Sequence, residues 1–313
     1  MKQKIALVFP GQGSQNVGMG KDLYENFVNA KEVFTKIDDI LKINLSKIMF
    51  EGPVDILTQT QNTQPALMAV SIALITVLEK DFGKKVADMA TFVAGHSLGE
   101  YSALCAAKAL SLEETAKLLQ IRGLSMAKCG ESTQGAMAAV LGVDIAIVEE
   151  IVREAAQGEV CQIANDNSVG QVVISGSKSA IDRAIAIAKI KGVKRAIILP
   201  VSGAFHSALM EDAVVAMKAA LKLAQIKSPI IPLIANVTAD KTQDPNEIKD
   251  LLAKQITGSV RWRETMLFME ANGIEEIIEI GSGKVLAGLV GRTCKNMKSR
   301  SIQNVEDLKL FVV

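Results

Sequence analysis

A chain of 313 residues, 49% of them hydrophobic, is long for one core, so two unequal units or one unit carrying an insertion are expected. Thirty-five basic against 34 acidic residues leave a formal charge of +1, which argues against a dedicated nucleic-acid protein. Four scattered cysteines without a Cys-x-x-Cys pair indicate reduced thiols in the cytoplasm, not a disulfide framework or zinc site, and two histidines are too few for a multi-histidine metal centre.

In chain order, the apolar run of MKQKIALVFPGQG stops after five residues at Pro10-Gly11. That is short of a signal-peptide h-region of about 7–15 residues, so Ile5–Phe9 reads as a buried first strand entering a glycine loop. Residues 22–41 carry helical spacing. Gln64–Lys80 reads as a helix without a polar face, buried on most sides, with Pro65 early, where proline is tolerated. No segment reaches about 18 uninterrupted apolar residues, so no membrane span is expected. Thr91–Ala94 reads as a strand, Leu98 to Ala109 as a helix, and Ser111 with Glu114 as the capping box of a further helix. Between 135 and 200 the pattern becomes βαββαβ: strands at Gly135–Val143, Val160–Ala164, Gln171–Ser175 and Arg195–Pro200, helices at Ile145–Ala156 and Ala180–Lys191. That order is a split βαβ, or ferredoxin-like, unit. Helices at Ser207–Ala224, Ile248–Gln255 and Trp262–Asn272 then alternate with strands at Ile230–Ala235 and Glu276–Ile280, and GSGKVLAGLV is a loop entering a helix. The expectation is an α/β fold with a mainly parallel sheet: a large α/β-hydrolase-like domain from 1–130 and 200–313, interrupted by a small ferredoxin-like subdomain at 131–199.

Gly95-His96-Ser97-Leu98-Gly99 lies between a predicted strand and a helix, the setting of a nucleophile elbow, although a structural turn with a serine N-cap reads the same way. A serine hydroxyl needs a base. His96 adjoins the serine on a sharp turn where neighbouring side chains diverge, so His206, beyond a predicted strand, is the candidate base by elimination, although an ordinary loop histidine reads the same way. An oxyanion would need N–H donors, for which Leu98 at the helix N-terminus and Gln12 in the Pro10–Gly13 loop are candidates. That loop reads equally as a plain turn; as a phosphate loop it fails, because no Gly-Lys-Ser/Thr follows. Arg122 leans toward an apolar helix face and needs an anion there. A substrate carboxylate and a local glutamate both remain open.

FPGQGSQ at 9–15, GHSLGEYSAL at 95–104, Arg122, QVVISG at 171–176, VSGAFHSALM at 201–210 and IGSGKVL at 280–286 together resemble the bacterial malonyl-CoA–acyl carrier protein transacylases. They are also similar to the acyltransferase domains of polyketide synthases. The resemblance spans essentially the whole chain. It implies ping-pong transfer of malonyl from coenzyme A to the phosphopantetheine thiol of acyl carrier protein, for fatty acid biosynthesis. Ser97 would carry the acyl group, His206 would be the base, Gln12 and Leu98 the oxyanion donors, and Arg122 the carboxylate clamp. It further implies that the Gln255 carbonyl orients His206, that Asn165 and Asn167 line the cleft, and that Phe205 favours malonyl over methylmalonyl. No metal or cofactor is implied; the coenzyme A thioester is substrate. The implied partner is an acidic carrier protein that docks transiently on a monomer, on basic residues such as Lys189, Lys191, Lys194 and Arg195 or Arg292, Lys295, Lys298 and Arg300. No nucleic acid or membrane partner is implied. Two departures stand out: Ser259 and Ser282 replace prolines common in the family. The rival reading is a serine esterase or thioesterase, which would orient His206 with an acid such as Asp166 or Asp182.

Overall fold

The computed structural model describes residues 3–312, so Met1, Lys2 and Val313, at the outer ends of the expected large domain, lie outside the described residues. Among the described residues ten strands form two sheets: β1 (Ile5–Phe9), β2 (Phe92–Gly95), β3 (Gly135–Leu141), β4 (Cys161–Ser168), β5 (Gln171–Ser177), β6 (Arg195–Ile198), β7 (Leu233–Ile234), β8 (Lys241–Thr242), β9 (Glu276–Ile280) and β10 (Lys298–Ile302). The larger sheet runs β10-β9-β1-β2-β7-β8, parallel except where β8 returns antiparallel to β7. β1 is apolar throughout because both faces of the sheet are covered. Leu7 and Phe9 face the layer containing helix Thr60–Lys80, while Ala6 and Val8 face Trp262 and Met266.

Helix Thr60–Lys80 is long and apolar enough to cross a membrane by length and composition alone, yet 83% of its apolar window is buried inside the fold. It starts four residues earlier than expected, so Pro65 sits in the second turn and not the first. The expected helix over 22–41 is broken at Phe27, whose extended backbone (φ −130°) separates Lys21–Asn26 from Val28–Leu41. Ser111 and Glu114 form the expected capping box at the start of Leu112–Ser132.

The smaller sheet is antiparallel in the order β4-β5-β3-β6. Helices Ile145–Ala156 and Lys178–Ile190 cover one face through Ala138, Val140, Ile151, Ile174 and Ile181. Its other face, with Met137, Ala164 and Val173, packs toward the larger unit. β4 extends to Ser168, four residues past its expected end, and register shifts at Ile163/Asn165 and Asp166/Ser168 re-aim its side chains. The segment after helix Pro245–Gln255 ties the two sheets together. Val260 N donates to Ala164 O (2.8 Å), Asp166 N donates to Val260 O (3.0 Å), and Arg263 pairs with the buried Asp166 at 2.8 Å.

Candidate active site

The elbow is built from close backbone approach. β2 ends at Gly95 and helix Gly99–Ala106 begins two residues after Ser97, which is held at φ 54°, in the left-handed region. A Cβ on Gly95 would lie 1.9 Å from the Gly99 carbonyl, and a Cβ on Gly99 would lie 2.2 Å from Phe9 O. Both positions must therefore be glycine. Ser97 N donates to Asn236 Oδ1 (2.8 Å), and Asn236 Nδ2 donates to Gly95 O (2.7 Å), which locks the turn to the end of β7.

His206 lies 109 residues further along the chain and 4% exposed, with Nε2 2.8 Å from Ser97 Oγ. Its Nδ1 faces two carbonyls, Gln255 O at 2.8 Å and Gly258 O at 3.2 Å. Carbonyls only accept, so Nδ1 carries the proton and Nε2 presents its lone pair to the serine. Burial first, and then the Arg122 charge, push the imidazole pKa down to about 3, against the pull of those carbonyls. Such a ring is a neutral acceptor throughout the physiological range. Among the described residues no carboxylate contacts it: Asp166 is engaged by Arg263 and Asp182 by Lys178. The serine–histidine pair is thus oriented by backbone carbonyls, not by the acid an esterase triad needs.

Arg122 is 1% exposed on helix Leu112–Ser132. Its Nη1 donates to Gln64 Oε1 (2.8 Å), and its Nη2 donates to Gln255 Oε1 (2.9 Å) and Ser97 Oγ (3.0 Å). Among the described residues no carboxylate pairs with it, which overturns the local-glutamate alternative: every direct acceptor is neutral, and Nε has none. Glu100 acts on it only through space. Desolvation accordingly lowers the guanidinium pKa, and the cation is left with unused capacity for an incoming anion.

The Leu98 and Gln12 N–H groups donate to no acceptor among the described residues, and both residues line the cavity over Ser97. Gln12 is held by its own side chain, which accepts from Thr60 Oγ1 at 3.0 Å. The cavity, about 110 Å³, also has Met126, Phe205 and Leu199 in its walls. It adjoins a groove of about 360 Å³ between the two sheets, where Asn165, Asn167, Gln171 and Leu286 meet the Gly11–Gln15 loop. Asn167 Oδ1 accepts from His96 Nε2 at 2.8 Å, so His96 braces the groove wall and stays away from the base position. All nine predicted site residues therefore converge on one cleft. No cluster that could hold a metal exists among the described residues.

Comparison with known proteins decides the family. The acyl transferase domain model matches residues 6–310. The chain belongs to the acyl transferase family. The acyltransferase is 43% identical over 310 residues, 99% of its length and 96% of the relative's, to the malonyl CoA-acyl carrier protein transacylase of Bacillus subtilis. It superposes with TM-score 0.95 and 52% identity on the acyl-carrier-protein S-malonyltransferase of Bartonella henselae, covering 99% of this chain and 98% of that one. A malonyl-transacylase solved in complex with a type II PKS acyl-carrier protein matches at TM-score 0.95 and 35% identity over 99% of both chains.

Three groups of the acyltransferase's site were assigned no role from the sequence, although Glu100 lies within the GHSLGEYSAL motif. Gln64, Asn236 and Glu100 are buried polar residues, each 1% exposed or less. Glu100 accepts from Asn236 N and Gln255 Nε2, and burial pushes its carboxyl up to about 7 despite those donors and the nearby Arg122 charge. A buried polar side chain without an apparent partner is the available clue, but its partners lie 136 and 155 residues away in sequence.

Proposed function

We propose that this acyltransferase moves a malonyl group from malonyl-CoA to the phosphopantetheine thiol of an acyl carrier protein, for fatty acid biosynthesis, through a malonyl-Ser97 ester. The observation that carries this reading is Arg122: a buried guanidinium with neutral partners only, 3.0 Å from the serine oxygen. A carboxylate there gains a charge-assisted pairing that an acetyl group lacks, and its own thioester carbonyl is brought near Ser97. Neutral His206 accepts the Ser97 proton as Oγ bonds to the thioester carbon. The carbonyl oxygen takes the negative charge and is met by the Leu98 and Gln12 N–H groups. As the carbonyl re-forms, the C–S bond breaks and coenzyme A leaves with the proton from His206. The carrier thiol gives its proton to His206, attacks the ester, and frees Ser97, which takes that proton back. Thioester is exchanged for thioester, so the chemistry calls for neither cofactor nor metal.

In this reading the Gln255 carbonyl orients His206. The Ser259 departure leaves that contact at 2.8 Å. Ser282, the other departure, donates to Ser14 O (2.8 Å) and accepts from Asn16 Nδ2 (2.9 Å), tying its glycine loop to the Gln12-bearing loop. Asn165 and Asn167 border the path of the pantetheine arm, and Phe205 narrows the acyl cavity. The small unit at 131–199 is a ferredoxin-like insertion in an α/β-hydrolase-like unit formed by 1–130 and 200–313; its strand order supports this. The carrier docks on exposed basic residues of the monomer. Lys189, Lys194, Arg195, Lys295 and Lys298 are the stronger candidates, because Lys191 is held by Glu150 and Glu154 and Arg300 by Glu276. Four buried free cysteines support a cytoplasmic location.

Product analysis tests the reading. Enzyme, malonyl-CoA and holo carrier protein should give malonyl-carrier and free coenzyme A in equal amounts. Free malonate as the main product, with the carrier unchanged, would establish hydrolysis instead.

A further inference from the structure

Beneath the elbow lies an ionisable group to which acyl transfer gives no task. Glu100, 1% exposed in the first turn of helix Gly99–Ala106, accepts two hydrogen bonds at one oxygen: Asn236 N at 3.0 Å and Gln255 Nε2 at 2.9 Å. We propose that Glu100 is a positioning residue for selection of the acyl carboxylate, because it sets which way the Gln255 amide faces and so how Arg122 is held. The Glu100 oxygen that already takes the Asn236 N–H is an acceptor, so Gln255 must turn Nε2 toward it. Gln255 Oε1 is then left facing Arg122 Nη2, at 2.9 Å. The reversed amide would set its oxygen against the accepting Glu100 oxygen and its NH2 against the guanidinium, two repulsive contacts in a buried site. With Gln64 Oε1 on Nη1 at 2.8 Å, this fixes both ends of the guanidinium fork beside Ser97. The second branch runs through Asn236, whose Oδ1 accepts the Ser97 N–H at 2.8 Å. That branch serves every acyl group. The Gln255 amide also donates to Ser97 O at 3.0 Å, which again serves every acyl group, but its hold on Arg122 at 2.9 Å bears chiefly on a carboxylated one, so the malonyl:acetyl ratio isolates that contribution.

The inference rests on the malonyl-transfer reading, and the experiment separates the two. kcat and KM for malonyl-CoA and acetyl-CoA are measured on wild type, Glu100→Met, Glu100→Asp and Glu100→Gln. Glu100→Met removes the acceptor, and Glu100→Asp withdraws it by one methylene while keeping the charge. Both should lower the malonyl:acetyl ratio of kcat/KM by about tenfold or more, the size of one charge-assisted hydrogen bond. Glu100→Gln keeps an oxygen where both donors converge and should stay within about threefold of wild type. A purely structural residue would lower both substrates together and leave the ratio unmoved. The assignment is overturned if whichever of the Met and Asp variants folds keeps the wild-type ratio, or if Gln loses as much as they do. A wild-type enzyme with no malonyl transfer at all would overturn the functional reading itself.

Discussion

Replacing Arg122 with methionine removes the guanidinium while filling most of its buried volume. In the free enzyme its Nη atoms donate to Gln64, Gln255 and Ser97, all neutral oxygens. A bound carboxylate would add charge-assisted bonds worth about 1.5–3 kcal/mol each, so losing a two-pronged contact costs about 3–5 kcal/mol. At about 1.4 kcal/mol per decade this is a fall of roughly 10²–10³ or more in kcat/KM for malonyl-CoA. Acetyl-CoA has no carboxylate to lose and should change by about tenfold or less, through the lost contact to Ser97 Oγ. The assay is a stopped-time transfer to holo carrier protein with each thioester, alongside thermal denaturation to show that the variant is folded. A folded Arg122→Met enzyme with the wild-type malonyl:acetyl preference would refute the clamp. A second effect should accompany the first: Arg122 is the second cause, after burial, of the low His206 pKa, so the acid limb of kcat/KM should move upward in the variant.

His206 also links stability to pH. Its pKa falls from 6.5 to about 3 on folding, so between those values the unfolded chain binds the extra proton and stability is lost as pH falls. Denaturant titrations of wild type and His206→Gln should therefore converge, or cross in favour of the variant, from pH 6.5 downward; a constant gap contradicts the buried neutral imidazole. Gly99→Ala should leave little folded protein, since its Cβ would sit 2.2 Å from Phe9 O, and a soluble variant with native circular dichroism would show that the elbow can yield. Asn236→Ala removes the acceptor for Ser97 N–H and should lower kcat for malonyl and acetyl substrates alike by about tenfold. A change confined to one substrate contradicts a role in holding the elbow.

What was legible in the sequence was carried by pattern. The switch from helix-separated apolar runs to βαββαβ marked the second sheet, and the glycine spacing around Ser97 marked a turn whose steric need the structure makes explicit. With only two histidines, elimination led to the ring that meets Ser97 Oγ. Short or polar strands were not legible. β10 (KSRSI) is an exposed, charged edge strand, and β7 keeps only two residues of an apolar stretch in which Pro229 and Pro232 donate no backbone N–H. The C-terminal helix Val305–Val312 was missed along with β10. Asn165 and Asn167 entered through family resemblance; that a bulged strand points both into the groove required coordinates. Glu100 stood inside the GHSLGEYSAL motif without a role of its own and Asn236 carried no signal, because a buried polar residue is explained by its partners, and the Ser97–Asn236, Glu100–Asn236 and Glu100–Gln255 pairs each span more than a hundred residues.

The central claim is that Ser97 Oγ, relieved of its proton by His206, becomes the acylated atom. Intact-protein mass spectrometry after brief exposure to malonyl-CoA reads this directly. Wild type should gain the mass of one malonyl group, lost again on adding holo carrier protein, and Ser97→Ala should gain none. A malonyl adduct of equal yield on Ser97→Ala, or no adduct on a wild type that still transfers malonyl, would contradict it.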